Sequence, residues 1–69
     1  MNQFGEKILN LRTEKKLSTK EVGQAVAIPQ SRYSELEKGI RIPTVGQVER
    51  IEKFYDVADG DLSVLIKKQ

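Results

Sequence analysis

The stretch "LSTKEVGQAVAIPQSRYSELEKG", residues 17–39, decides the fold. It holds two short apolar-periodic segments with very little chain between them. Ser18 followed three residues later by Glu21 is a capping box, in which each side chain satisfies the other residue's backbone N–H, so a helix begins there. Val22, Ala25 and Val26 give that helix an inner face. A second segment spans about Gln30 to Lys38 and stops at Gly39, because glycine accepts the left-handed conformation that ends a helix. Only Ala27, Ile28 and Pro29 separate Val26 from Gln30. So short a connection forces a steep crossing rather than an antiparallel hairpin, with Ile28 as the apolar plug. The pattern predicts a helix-turn-helix that pushes its second helix out of the body of the domain.

Working outward, the same three-and-four spacing continues and no alternating strand pattern interrupts it. A helix is expected from about Gln3 to Lys15, with Phe4, Ile8 and Leu11 on one stripe. After a loop at "IRIP", Thr44 and Gln47 repeat the capping-box pattern and start a helix reaching about Tyr55. Its inner residues are Val45, Val48, Ile51 and either Phe54 or Tyr55. "DVADGD" is a turn, "LSVLI" a short fifth helix, and "KKQ" a frayed end. There are no repeats, linkers or low-complexity stretches. The expected fold is all-α, a compact five-helix single domain over residues 1–69 with the helix-turn-helix at about 18–38.

Composition narrows the function. Sixty-nine residues with 32% charged and 38% hydrophobic side chains suit one small globular domain. The absence of cysteine and histidine removes disulfides, thiolate nucleophiles, imidazole bases and nearly all zinc sites. The carboxylates are scattered among basic residues and support neither a metal nor a hydrolytic site. The chain is therefore expected to be no enzyme and to use no cofactor. No apolar run is long enough to span a membrane, and "MNQFGEKIL" is too short and polar for a signal peptide, so the expected location is cytoplasmic. Net charge is +2, unevenly spread: eight Lys/Arg against five acids in residues 1–44 (+3), and four against five in 45–69 (−1). That bias is too weak to be a nucleic-acid signature on its own.

The outward face of the helix after the turn is more informative. At about 100° per residue from Gln30, Tyr33 and Leu36 fall near 300° and 240°, which sets the buried direction. Gln30, Ser34, Ser31 and Glu35 lie on the other side, between about 0° and 140°. An ordinary exposed helix face favours long charged residues and alanine. Amide, hydroxyl and carboxylate instead match the edges of bases in a major groove, glutamine to adenine and carboxylate to cytosine N4. A merely solvated surface would explain these four residues taken alone. Joined to the tight turn, that explanation is the weaker one.

Leu17-Ser18-Thr19, Val22-Gly23, Val26, Ile28, Tyr33-Ser34, Leu36-Glu37 and Gly39 resemble, position by position, the Cro/cI-type helix-turn-helix (XRE-like) family of DNA-binding regulators. "FGEKILNLRTEKKLS" before the motif and "RIPTVGQVERIEKFYDV" after it are similar to that family too, so the resemblance covers roughly residues 4–65. It implies a lambda-repressor-like DNA-binding domain. Some residues depart from the pattern. Ala27 replaces the usual turn glycine, which requires either a different turn or about 1 kcal/mol of strain. Pro29 replaces a serine or threonine N-cap. Thr19 stands where a glutamine that touches phosphate and supports a base contact is common, and Gly23 stands for alanine.

The resemblance also implies that Arg12 and Glu37 form a partly buried ion pair, a brace with no part in reading DNA, rather than two independent surface charges. It puts Arg41, in the loop after Gly39, on the phosphate backbone, with Thr19, Lys20 and Lys38 as further backbone candidates; Arg32, at about 200° on the wheel and so at the edge of the exposed face, either meets phosphate beside the groove or is simply solvated. Such contacts supply affinity without sequence information. The expected function is sequence-specific binding of double-stranded DNA, as a dimeric repressor on a two-fold operator. An antitoxin-like or other protein-binding module on the same fold is the alternative, since fold alone does not settle function. A homodimer would form through the C-terminal end, by Val57, Leu62, Leu65 and Ile66. The spacing of Leu62, Leu65 and Ile66 would equally let them cap the core.

Overall fold

Two capping boxes organise the chain. The Ser18 hydroxyl accepts the Glu21 N–H at 3.1 Å while the Glu21 carboxylate accepts the Ser18 N–H at 2.8 Å. Thr44 and Gln47 make the same exchange at 3.1 and 3.0 Å. A computed structural model describes residues 3–58 and 60–66 of the chain. Its α-helices are α1 (Gln3–Glu14), α2 (Thr19–Ala25), α3 (Gln30–Lys38) and α4 (Val45–Tyr55). The only other regular element among the described residues is a 3₁₀ turn at Ser63–Leu65. The all-α expectation holds, with one helix fewer than expected. The segment after Gly60 is too short to repay the nucleation of an α-helix: after a single four-residue bond from Val64 N–H to Gly60, its bonds close over three residues, from Leu65 N–H to Leu62 and from Ile66 N–H to Ser63. Asp59 and the expected frayed end at 67–69 lie outside the described residues.

The α2–α3 connection is as tight as the sequence implies. Ile28 returns its N–H to the Gly23 carbonyl at 2.9 Å and is itself buried. A Cβ on Gly23 would lie 2.7 Å from the Ile28 carbonyl oxygen, so only glycine lets the turn close this far onto α2. Ala27 does take the left-handed conformation, with φ of +60°, a cost of about 1 kcal/mol that packing of the turn must offset. Gly39, with φ of +78°, ends α3.

The core joins all four helices: Phe4 and Ile8 from α1, Val22 and Val26 from α2, Tyr33 and Leu36 from α3, and Val48, Ile51 and Tyr55 from α4, closed by Ile28 and Leu62. Full burial of such side chains contributes about 1.5–3 kcal/mol each, more than either capping box. Helix α3 packs against both α1 and α2, which leaves its remaining face to solvent.

Three expected inner or interface positions are corrected. Ala25 is exposed, since Val22, Gly23 and Val26 form the contact face and Ala25 lies about 100° from its centre. Val45 shares the stripe of Val48 and Ile51 but is 76% exposed, because the first turn of α4 projects past the end of the core. Leu62, expected at a dimer interface, is completely buried in the monomer and is not available to a partner. Val57, Leu65 and Ile66 are half-buried and pack on the same core. Between Phe54 and Tyr55 the choice left open on α4 resolves in favour of Tyr55, which is buried while the half-buried Phe54 stacks edge-on against it at 5.0 Å.

Candidate nucleic-acid interface

Helix α3 is preceded by Pro29 at its N-cap, whose fixed φ suits entry to the helix but which supplies no side-chain cap. Gln30 is therefore the first side chain with a polar group at the tip of α3. Its amide nitrogen donates to the Thr19 hydroxyl at 3.0 Å, across the turn from the first residue of α2. One amide hydrogen is thus spent within the protein. The other hydrogen and the carbonyl oxygen remain for an external partner, and the amide plane is held by a neighbouring helix.

Ser31 is exposed and Ser34 half-buried, one turn apart along the outer face. Glu35 is also half-buried and is not free: it accepts a hydrogen bond from the Arg41 guanidinium, the Nε of which reaches back from the loop after Gly39. Residues assigned separately to base reading and to backbone contact are in this way brought into one pair. Arg41 also lines a small cleft of about 110 Å³ with Arg32, Leu36, Thr44 and Gln47. Lys20, Arg32 and Lys38 are exposed, and Ile40 and Ile42, on either side of Arg41, are 68% and 70% exposed.

Behind this face is a polar network that fixes the attitude of α3. Arg12 Nε donates to Glu37 Oε2 at 2.6 Å and Arg12 Nη2 to Glu37 Oε1 at 3.1 Å, a two-pronged pair between α1 and α3. Arg12 Nη1 donates in addition to the Leu17 carbonyl at 2.9 Å. The bond to Glu37 raises the Arg12 pKa further, so the guanidinium is permanently charged. Beneath the pair the hydroxyls of Tyr33 and Tyr55 are 2.8 Å apart and buried. Burial pushes both phenols above their ordinary pKa, and the Glu37 charge adds to the rise.

Two residues carry structural roles that sequence reasoning missed. Arg50 of α4 donates from Nε to the Val26 carbonyl at 2.7 Å, fastening α4 to the end of α2. No periodicity signals this, for Arg50 lies off the inner stripe. Glu52 is buried, and one carboxylate oxygen accepts N–H groups from Gly60, Leu62 and Ser63 at 3.0, 2.9 and 3.4 Å. Here a signal was present: Glu52 falls on the apolar stripe of α4, between Val48 and Tyr55. Among the described residues no cluster of acidic groups could hold a metal ion, and no helix is long and apolar enough to cross a membrane.

Comparison with known proteins agrees with this geometry. The family model described as helix-turn-helix matches residues 8–62. The chain is 36% identical over 59 residues to the cryptic phage CTXphi transcriptional repressor RstR of Vibrio cholerae, a match covering 86% of this chain and 53% of the relative. The chain thus spans about half the length of that protein. No solved structure matches it. The family match over residues 8–62 and the identity to this relative place the chain in the Cro/cI-type helix-turn-helix family.

Proposed function

We propose that the chain binds double-stranded DNA sequence-specifically and represses transcription by occupying a two-fold operator as a homodimer. In this reading Gln30, Ser31, Ser34 and Glu35 face base edges, while Thr19, Lys20, Arg32, Lys38 and Arg41 meet phosphates. The observation that carries it is the Gln30 amide held against Thr19 at the exposed tip of α3. A glutamine with one donor and one acceptor left, both in a fixed plane, is suited to the paired N6 and N7 groups of adenine. Thr19 then does by a hydroxyl part of what a longer amide would do at its position.

A nine-residue helix reads few base pairs, so two copies are needed for a useful site. The domain measures 30 × 24 × 20 Å, and two such bodies side by side can set their α3 helices one turn of duplex apart, about 34 Å. With Leu62 in the core, the surface best suited to self-association is the groove between α4 and the C-terminal turn, where the exposed Val45 and the half-buried Ile66 are apolar. Glu49 and Lys53 also line it, one helical turn apart. Antiparallel packing of two α4 helices would set Glu49 of one copy against Lys53 of the other.

The test is selection of bound duplexes from a random pool, followed by sedimentation of the protein free and on the selected site. A defined half-site in a two-fold repeat and a dimer on it are expected. Gln30→Ala should cost about 1–3 kcal/mol on that site and relax preference at one position. A folded wild-type chain that enriches no sequence at low salt would refute the reading and favour a protein-binding module.

A further inference from the structure

The Glu35–Arg41 pair sits on the face assigned above to DNA, and the inference that follows rests on that assignment. Both side chains are partly in solvent, 36% and 47% exposed. The left-handed turn at Gly39 folds the loop back and brings Arg41 over the residue six positions earlier. Arg32 lines the same cleft, and its positive charge disfavours any withdrawal of the Arg41 guanidinium towards it. Glu35 is the anion that holds Arg41, and its own alternatives on a duplex are few. Phosphates repel it, and in the major groove a carboxylate is welcomed by an exposed amino group, cytosine N4 foremost.

We infer that Glu35 and Arg41 form an exchange gate that couples base reading to backbone contact. On a sequence presenting an amino group within reach of Glu35, the carboxylate leaves Arg41 for the base, and the freed guanidinium turns to a phosphate. On other sequences the pair stays closed. The base contact is then missing, and the protein also meets the backbone with one cation fewer. One substitution in the DNA is thereby felt twice, which sharpens discrimination beyond what Glu35 alone supplies. The effect is modest in size, because an exposed ion pair shifts an equilibrium by up to about five-fold.

The experiment measures binding of the selected duplex and of a scrambled duplex, across a salt series, for wild type, Glu35→Gln, Arg41→Ala and the double variant. Glu35→Gln should tighten binding to the scrambled duplex by about two- to five-fold and steepen its salt dependence by about one unit, as one more cation becomes free. In the Arg41→Ala background the same change should leave the salt slope alone and give little gain. An equal gain in both backgrounds would mean simple loss of a negative charge and would overturn the gate, as would no gain at all. A second readout is the Arg41 Nε–H signal by NMR: it should match the free protein on the scrambled duplex and shift on the selected one. A signal unchanged on the selected duplex likewise overturns it. A wild type that binds no duplex overturns the functional reading together with the gate, whereas a discriminating wild type with additive variants overturns the gate alone.

Discussion

Replacing Arg12 by methionine strands Glu37. The Arg12 and Glu37 side chains are only 17% and 7% exposed, and the pair is joined by two hydrogen bonds. Removing one partner of a buried pair costs about 3–5 kcal/mol, since the other charge remains without compensation. Some water can enter through the space Arg12 leaves, so about 2–4 kcal/mol is the expected loss for Arg12→Met. A chain of this length has a total stability of about 3–10 kcal/mol, so the variant should be severely weakened. Glu37→Leu should cost less. The guanidinium, on a long stem that lets its head reach solvent, can keep its bond to the Leu17 carbonyl while its remaining N–H groups are met by water. The double variant, with neither charge to desolvate, should recover to within about 1 kcal/mol of wild type. Urea melts of the four proteins, followed by far-ultraviolet circular dichroism, give the cycle. A coupling energy below about 0.5 kcal/mol would refute the reasoning, because independent sites add within that margin. Because the pair joins α1 to α3, the same cycle reports how firmly the reading helix is mounted.

Further outcomes follow from the same contacts. Gly23→Ala should destabilise by about 1–3 kcal/mol despite the better helix propensity of alanine, because its Cβ would stand 2.7 Å from the Ile28 carbonyl oxygen; an unchanged or higher melting midpoint would show that the turn yields. Burial raises the pKa of Tyr33 and Tyr55 above the value of about 10 they have when unfolded. Their contribution is therefore complete below that pH and is lost as pH rises, since the unfolded chain ionises first. A Tyr33→Phe, Tyr55→Phe variant should show a flatter fall of stability above pH about 10, and an unaltered alkaline slope would contradict this. Glu52→Ala removes the acceptor of three N–H groups. Amide exchange at Gly60, Leu62 and Ser63 should accelerate by about tenfold or more, with α1 to α3 unaffected; unchanged exchange there would show that the turn is held by packing alone.

What the sequence determined by itself was whatever depends on neighbours a few residues away. Capping boxes at Ser18 and Thr44, the left-handed stop at Gly39 and the three-residue turn are local events, and each is written in adjacent residue types. The outward face of α3 was equally legible, because helical periodicity assigns directions without any knowledge of the partner helices. Tertiary structure decided the rest. Periodicity places Val45 and Leu62 each on an apolar stripe, yet only the three-dimensional extent of the core leaves one in solvent and buries the other. The pairing of Arg41 with Glu35, the hydrogen bond from Gln30 to Thr19 and the reach of Arg50 to Val26 join residues six, eleven and twenty-four positions apart. The last two depend on the angle at which packed helices cross, and that angle is set by the summed shape of all the buried side chains, which no single stretch of sequence contains.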